Sequence, residues 1–231
     1  MLSNPTIAVI GGTGKSGQYL VRELIQQGFS LRLLLRNPGS FVHPKEVGNL
    51  PAEKVVHPHV NITHPIVDLV QGDVRDPDAV EQLCHGCQAV ISTLGQPKGE
   101  PSIFSQATRH ILGAMAKWSI RRYILITGLN VDTPLDKKGP ATQAGTNWMK
   151  EHYPETTSDK QLEFELLRAS SVDWTLVRLP LIGLTEETGE IGISLQDCPG
   201  NGIHTIDLAR FLIRQLEDAQ YIKQAPFLAN I

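Results

Sequence analysis

Residues 6–24 read TIAVIGGTGKSGQYLVREL: an apolar run, three spaced glycines, then a segment with apolar residues at Leu20, Val21 and Leu24. A short apolar run that stops at Gly11 suits a strand buried on both faces. The spacing after it, three to four residues, suits an amphipathic helix. Gly11, Gly14 and Gly17 therefore fall in a strand-to-helix turn. There one glycine lets the chain leave the strand sharply, one lets the backbone approach a ligand, and one lets helix and strand pack closely. Such a turn constrains the rest of the chain, because a strand followed by a helix returns to its sheet as a parallel neighbour through a right-handed crossover.

The remaining sequence repeats this alternation. Strand-like runs occur at 31–36, 65–73, 89–95, 121–128 and 173–182, and helical patterns at 17–27, 76–83, 105–118, 158–170 and 208–216. Asp76 followed by Pro77 reads as a cap and first position, and Thr205 or Asp207 opens the last helix. The expected fold is α/β, a Rossmann-type doubly wound parallel sheet with helices on both faces, in a single domain over 1–231. With 41% of its 231 residues hydrophobic, the chain can bury a core of ordinary size. Two stretches exceed the usual short connections: 37–64, rich in Pro and His, and 129–157. The second leaves the carboxyl end of a central strand, where ligands of open α/β sheets bind. It is expected to cover the substrate side, with the C-terminal elements 181–231 completing that side.

A net charge of −3 gives no basic excess for nucleic acid or an anionic membrane. No apolar run approaches the ~20 residues of a membrane span. The N-terminus lacks a basic segment followed by an apolar one and a cleavage site. A small-molecule partner, no nucleic acid, no membrane and a cytoplasmic location are expected. Cys84, Cys87 and Cys198 are an odd number and fit reduced thiols. The spacing of Cys84 and Cys87 is of redox type, but it falls where a helix ends at Gly86 and a buried strand begins, so core cysteines are expected. His57, His59 and His64 lie among prolines with no carboxylate fixed nearby, and no metal is expected.

The helix that opens behind the glycine turn offers unpaired N–H groups and a positive dipole to a phosphate. Gly11, Thr13, Gly14, Lys15, Ser16 and Gly17, with Gly12, form the predicted cradle for a dinucleotide. A P-loop is disfavoured because Lys15 and Ser16 come too early after the glycines. Arg36 ends the second strand nineteen residues beyond Gly17, with no carboxylate before it in that strand. A cation there suits a 2′-phosphate, so the predicted cofactor is NADP(H). Asp73 and Val74 end the third strand, placed for the adenine. Thr93, Leu94 and Gly95 end the fourth, beside the ribose and nicotinamide.

Taken in order, GGTGKSG, LLRNP, GDVRDP, GCQAVISTLG, RRYILITG, LLRASSVDWTLVRLPLIG and IHTIDLARFL resemble the atypical short-chain dehydrogenase/reductase proteins. That group contains flavin reductase/biliverdin reductase B and the NmrA-like regulators, and the similarity covers nearly the whole chain. The resemblance implies an NAD(P)-binding domain, with Pro180 and Ile182 beside the cofactor. Typical members of the superfamily carry a Tyr-x-x-x-Lys pair in which lysine lowers the tyrosine pKa. Here Tyr153 and Lys160 are seven apart, a separation not expected to put them on one helix face as that pair requires. Lys160 falls where the family places its lysine, and Thr127, Tyr153 and Lys160 are the candidate catalytic groups, Thr127 also touching cofactor. In the flavin/biliverdin subgroup a serine ends the fifth strand and a histidine follows the proline of the sixth. Gly128 and Leu181 stand at those positions, which removes polar groups that could hold a tetrapyrrole. Asn130, Trp148, Met149 and Leu181 are the candidate substrate wall, adaptable surfaces for a flat ligand.

The resemblance thus implies an NADPH-dependent oxidoreductase for flavin- or quinone-like substrates. The alternative is a non-catalytic NADP(H) sensor similar to NmrA-like proteins, with a protein partner. A third reading, a reductase or epimerase for one metabolite, requires a recognition site in 129–157.

Overall fold

The computed structural model describes residues 5–40 and 67–231. Most of the 37–64 stretch, with His57, His59 and His64, lies outside the described residues. Six strands follow the expected alternation: β1 (Thr6–Ile10), β2 (Ser30–Leu35), β3 (Val67–Gln71), β4 (Ala89–Ser92), β5 (Arg122–Gly128) and β6 (Asp173–Leu179). Four more come late in the chain: β7 (Leu181–Gly183), β8 (Ile191–Ser194), β9 (Gly202–His204) and β10 (Phe227–Asn230). The main sheet runs β3-β2-β1-β4-β5-β6-β10-β8. Its order reverses between β1 and β4, where Ile7 faces Leu31 on one side and Ala89 on the other. Such a reversal opens a crevice at the carboxyl ends of the strands.

The expectation of an all-parallel sheet holds from β3 through β10 and is corrected at the edge, where β8 runs antiparallel to β10. The run 173–182 divides into β6 and β7 because Pro180 has no N–H to continue the ladder. β7 pairs instead with β9 in a small separate ribbon.

The helices are α1 (Gly17–Gln26), α2 (Pro77–Cys84), α3 (Phe104–Lys117), α4 (Pro140–His152), α5 (Pro154–Ala169) and α6 (Thr205–Arg214). Successive residues of a strand point to opposite faces. Ile7, Val9, Leu33 and Ile124 accordingly pack with Leu20 and Leu24 of α1 and Leu208 and Phe211 of α6. Ala8, Ile10, Val90 and Leu125 pack with Val80 of α2, Ile111 of α3 and Leu167 of α5. The doubly wound arrangement with helices on both faces is as expected. Asp76 caps α2 by accepting the Asp78 N–H at 3.0 Å, with Pro77 at the first position. Cys84 and Cys87 are buried, and burial pushes their thiols up to about 12 and about 11, which suits core residues.

Three boundaries differ from expectation. α5 begins four residues earlier, at Pro154, which takes a first-turn position where its missing N–H is harmless. α6 begins at Thr205, and Asp207 lies inside it, accepting the Gly189 N–H and the Asn230 side chain. The 129–157 stretch, expected as an irregular cover, holds α4, whose only buried residues are Thr142 and Thr146. No helix among the described residues is long and apolar enough to cross a membrane.

Arg178 of β6 is fully buried and joins the late elements to the central sheet. It donates to the carbonyls of Ala225, Val131 and Leu195 at 2.8, 3.3 and 3.1 Å, pairs with Asp136 at 2.6 Å, and lies 3.6 Å over the Phe227 ring. Arg178→Ala removes a buried charged donor from three carbonyls and leaves Asp136 with Thr133 and Lys138 alone, so urea unfolding should show a loss of about 3–5 kcal/mol. A loss below about 1 kcal/mol, the range of a surface pair, would contradict this role.

Candidate functional site

The glycine turn is a fitted piece of backbone. Gly11 has φ +79°, and a Cβ there would lie 2.6 Å from the Thr93 carbonyl oxygen. A Cβ on Gly17 would lie 2.0 Å from the Gly11 carbonyl oxygen. The Gly14 N–H closes the turn onto that carbonyl at 2.9 Å. Thr93 Oγ1 is directed at the carbonyls of Ile10 and Gly11, at 3.4 and 3.3 Å, so this residue braces the turn from beneath. Thr13, Gly14 and Lys15 are exposed, and Ser16 precedes α1 without a side-chain cap. The Gln18 N–H is taken by the Gly14 carbonyl at 3.0 Å, so the place for an anion is the exposed backbone of Thr13 to Lys15 at the positive end of α1. A cradle closed to Cβ atoms below and open above fits the pyrophosphate of a dinucleotide.

A cavity of about 370 Å³ extends from this turn, lined by Gly11, Thr13, Gly14, Arg36, Asp73, Val74, Leu94 and Gly95. Its outer rim carries a chain of charges. Asp73 accepts the Arg75 backbone N–H at 2.9 Å and its guanidinium at 3.2 Å. Arg75 reaches Glu100 at 2.6 Å, and Arg36 reaches the other Glu100 oxygen at 3.2 Å. The Val74 carbonyl is held by His110 Nδ1 at 3.0 Å, which fixes the end of this segment against α3.

A second cavity, about 640 Å³, shares Leu94 and Gly95 with the first and adds Thr127, Tyr153, Lys160, Pro180 and Ile182. Lys160 Nζ donates to Thr127 Oγ1 at 3.3 Å and sits 3.8 Å from the centre of the Phe104 ring. Burial lowers the Lys160 pKa, opposed by the charges of Glu163 and Asp159. Glu163, one turn further along α5, is buried and accepts Thr108 Oγ1 at 2.8 Å. Burial raises its pKa to about 7 despite Lys160 and that hydrogen bond. Burial works to raise Asp159 as well, but bonds from Ser102 Oγ at 2.6 Å and the Phe104 N–H at 2.8 Å are among those that hold it below the ordinary range. Asp159 thereby caps α3 from α5.

Tyr153 and Lys160 do not have the Tyr-x-x-x-Lys relation, yet both reach one cavity. α5 starts directly after Tyr153, which precedes the helix with a non-helical φ of −136°, and Lys160 lies in its second turn; both residues line the cavity. Tyr153 stays half-exposed beside Trp148, whose ring also stacks on His152 at 4.6 Å.

A third cavity, about 670 Å³ and mostly apolar, meets the second at Gly128, Met149, Leu179 and Pro180. Asn130, Trp148, Met149 and Leu181 line it, with Leu181 82% exposed at the rim. Asn130 is buried and donates through Nδ2 to Thr157 at 3.0 Å, while its Oδ1 has no partner. A Cβ on Gly128 would lie 2.3 Å from that oxygen. Residue 128 is therefore glycine where Asn130 takes the space of a side chain. The structure adds Arg75, Glu100, Phe104, Asp159 and Glu163 to the residues singled out in the sequence. Of these, only Arg75, beside Asp73 in GDVRDP, adjoined a recognised motif.

The NAD(P)H-binding family model matches residues 11–219. This chain belongs to the NAD(P)H-binding family. Among curated proteins it is similar to the mitochondrial NADH-ubiquinone oxidoreductase 40 kDa subunit of Neurospora crassa, 28% identical over 163 residues, which cover 68% of this chain and 40% of that protein. It is also 24% identical over 230 residues to the photosystem II assembly factor Ycf39 of Cyanophora paradoxa, covering 91% of this chain and 59% of that one. The chain thus spans less than two thirds of either relative. Among solved structures, ChuY, an anaerobillin reductase from Escherichia coli O157:H7, superposes with TM-score 0.73 at 19% identity, covering 97% of both chains. A short-chain dehydrogenase/reductase from Veillonella parvula in complex with NADP gives 0.72 at 16% identity, covering 98% of this chain and 94% of that one. At these identities the likeness is one of fold. The NAD(P)H-binding chain has its glycine turn, switch point and strand-end cavities on that fold.

Glu163 generates a stability prediction. Between pH 4.5 and about 7 the folded chain keeps a proton on Glu163 that the unfolded chain releases, so this group opposes folding increasingly as pH rises. Glu163→Gln retains an acceptor for Thr108 and removes the titration. Its unfolding free energy should gain on that of the native chain by up to about 3 kcal/mol across this window and no further above it. An unchanged difference on the two sides of the window would contradict a raised pKa.

Proposed function

We propose that this chain is a cytoplasmic NADPH-dependent reductase of the atypical short-chain dehydrogenase type, acting on a flat, electron-poor ring such as a flavin or quinone. The supporting observation is the Lys160–Thr127 contact inside a cavity that adjoins the glycine-turn side on one flank and the apolar chamber on the other. NADPH, when bound, supplies the hydride. The residues of the chain do the rest. Gly11, Thr13, Gly14, Lys15, Ser16 and Gly17 hold the pyrophosphate, Asp73 and Val74 the adenine, and Arg36 the 2′-phosphate. Thr93 keeps the turn in shape, while Leu94, Gly95, Pro180 and Ile182 enclose the reacting end and keep competing water out. Thr127 and Tyr153 orient the groups that meet there. The Lys160 ammonium, resting on the Phe104 ring, stabilises negative charge that accumulates on the accepting ring. Solvent returns the proton. Trp148, Met149, Leu181 and Asn130 form the wall for the substrate. A flat acceptor mainly needs stacking and orientation, whereas a carbonyl needs a delivered proton that Thr127 supplies poorly.

A second reading is a non-catalytic NADP(H)-binding regulator. The names of the two curated relatives, a subunit and an assembly factor, support it, as does the missing Tyr-x-x-x-Lys spacing. Exposed Trp148, Tyr153, Leu181 and Leu184 would then meet a protein partner.

Charge-assisted hydrogen bonds contribute about 1.5–3 kcal/mol, so Arg36→Ala should weaken NADPH binding about 10- to 100-fold and NADH binding far less. Equal losses for both in a fluorescence titration would contradict the role of Arg36. NADPH oxidation measured with FMN, a quinone and an aldehyde at saturating cofactor should show turnover with the first two and little with the third. Turnover with none, beside tight NADPH binding, would replace the reductase by the regulator.

A further inference from the structure

Arg36 and Arg75 in the lining of the first cavity and Glu100 in that of the second form one charged assembly. Glu100 holds Arg36 with one carboxylate oxygen at 3.2 Å and Arg75 with the other at 2.6 Å. The three residues come from the end of β2, the turn before α2 and the loop after β4, so only the fold brings them together. Two guanidiniums aimed at one small anion make a site whose natural occupant carries several oxygens and more than one negative charge. A phosphate monoester has about −1.5 to −2 charges and three acceptor oxygens, against one charge and two oxygens for a carboxylate. Resting on the NADPH reading above, we propose that Glu100 is a built-in occupant of the 2′-phosphate site, bridging Arg36 and Arg75 in the free chain and yielding to the phosphate when cofactor binds.

The two sides of the assembly are unequal. Arg75 is also held by Asp73, through its backbone N–H at 2.9 Å and its guanidinium at 3.2 Å, so it stays in place when Glu100 leaves. Arg36 has a side chain 61% exposed, with Glu100 as its ion-pair partner among the described residues, so it can turn toward the incoming group. Solvated pairs of this kind are weak, which makes the exchange easy for a dianion. A ligand without the phosphate has nothing to exchange and leaves the pair closed. Glu100 therefore fills the site in the free chain and narrows the preference for NADPH over NADH, since only the phosphate has to displace it.

The loop that carries Glu100 is tied into one piece. Gln96 Nε2 donates to the carbonyls of Pro97, Glu100 and Pro101 at 3.1, 2.8 and 3.2 Å, tying both ends of the loop together. The same loop supplies Leu94 to Pro97 to the first cavity and Leu94 to Glu100 to the second. Release of Glu100 at the phosphate end is thereby coupled to the wall of the cavity that contains Lys160.

The test is a titration of NADPH and NADH into the native chain, Glu100→Gln and Arg75→Ala, with melting curves to show that each is folded. Glu100→Gln keeps the shape and removes the competing charge. It should tighten NADPH about three- to fivefold and leave NADH within about twofold. Arg75→Ala should weaken NADPH about tenfold and spare NADH. If Glu100→Gln does not fold, Glu100→Asp, too short to span both guanidiniums, should tighten NADPH in the same direction. Unchanged or weaker NADPH binding in the Glu100 variant overturns the proposal. So does weaker NADH binding, which would make Glu100 a ribose acceptor. A native chain that prefers NADPH while Glu100→Gln changes nothing sinks the built-in occupant alone. A native chain that binds both equally sinks the NADPH reading with it.

Discussion

The backbone of α1 rests on the carbonyl of Gly11, with no room for a side chain at Gly17. That contact fixes where the helix starts and which way its positive end points. It also brings the turn against Thr93 at the end of β4, across the place where the strand order reverses. The crevice at a reversal exists in any sheet of this order. Here it becomes a site because a helix end, a strand end and a braced turn meet in it. The cavities then extend to either side, one toward Arg36 and Asp73, the other toward Thr127 and Lys160.

The two ends use charge differently. At the outer end Arg36, Arg75, Asp73 and Glu100 are partly solvated, and their pairs are weak and exchangeable. At the inner end Lys160 and Glu163 sit in surroundings that disfavour their charged forms, and their pKa values move toward one another. Burying two ionisable groups a turn apart on one helix costs stability that an apolar pair would not. A cavity whose wall carries such a lysine is where perturbed proton affinity is most useful. Asp159 on the same helix gives the arrangement rigidity by capping α3, whose first residue Phe104 provides the ring under Lys160.

The first half of the chain was legible because its signals are local. The apolar run before Gly11, the Asp76–Pro77 start and the periodicity of Leu20, Val21 and Leu24 each need only a few neighbours. α4 was not legible, since PATQAGTNWMKEH buries only two threonines and carries a glycine, and no apolar stripe marks it. β8 and β10 are four residues each and become strands through pairing with one another. Arg36 was visible at its strand tip, but Glu100, its partner, lies far along the chain. The same holds for the Asp159 cap on α3, which depends on residues more than fifty positions apart. Tyr153 and Lys160 lack the Tyr-x-x-x-Lys spacing, and their common cavity was not legible because the start of α5 was set at Ser158 and not at Pro154.

The most direct test is a crystal structure of the chain with NADPH. The account predicts the ribose phosphate against Arg36, the pyrophosphate over the turn from Gly11 to Gly17, and the nicotinamide in the cavity of Thr127, Tyr153 and Lys160, facing the apolar chamber. A nicotinamide outside that cavity, or a dinucleotide lying in the opposite direction, would contradict it.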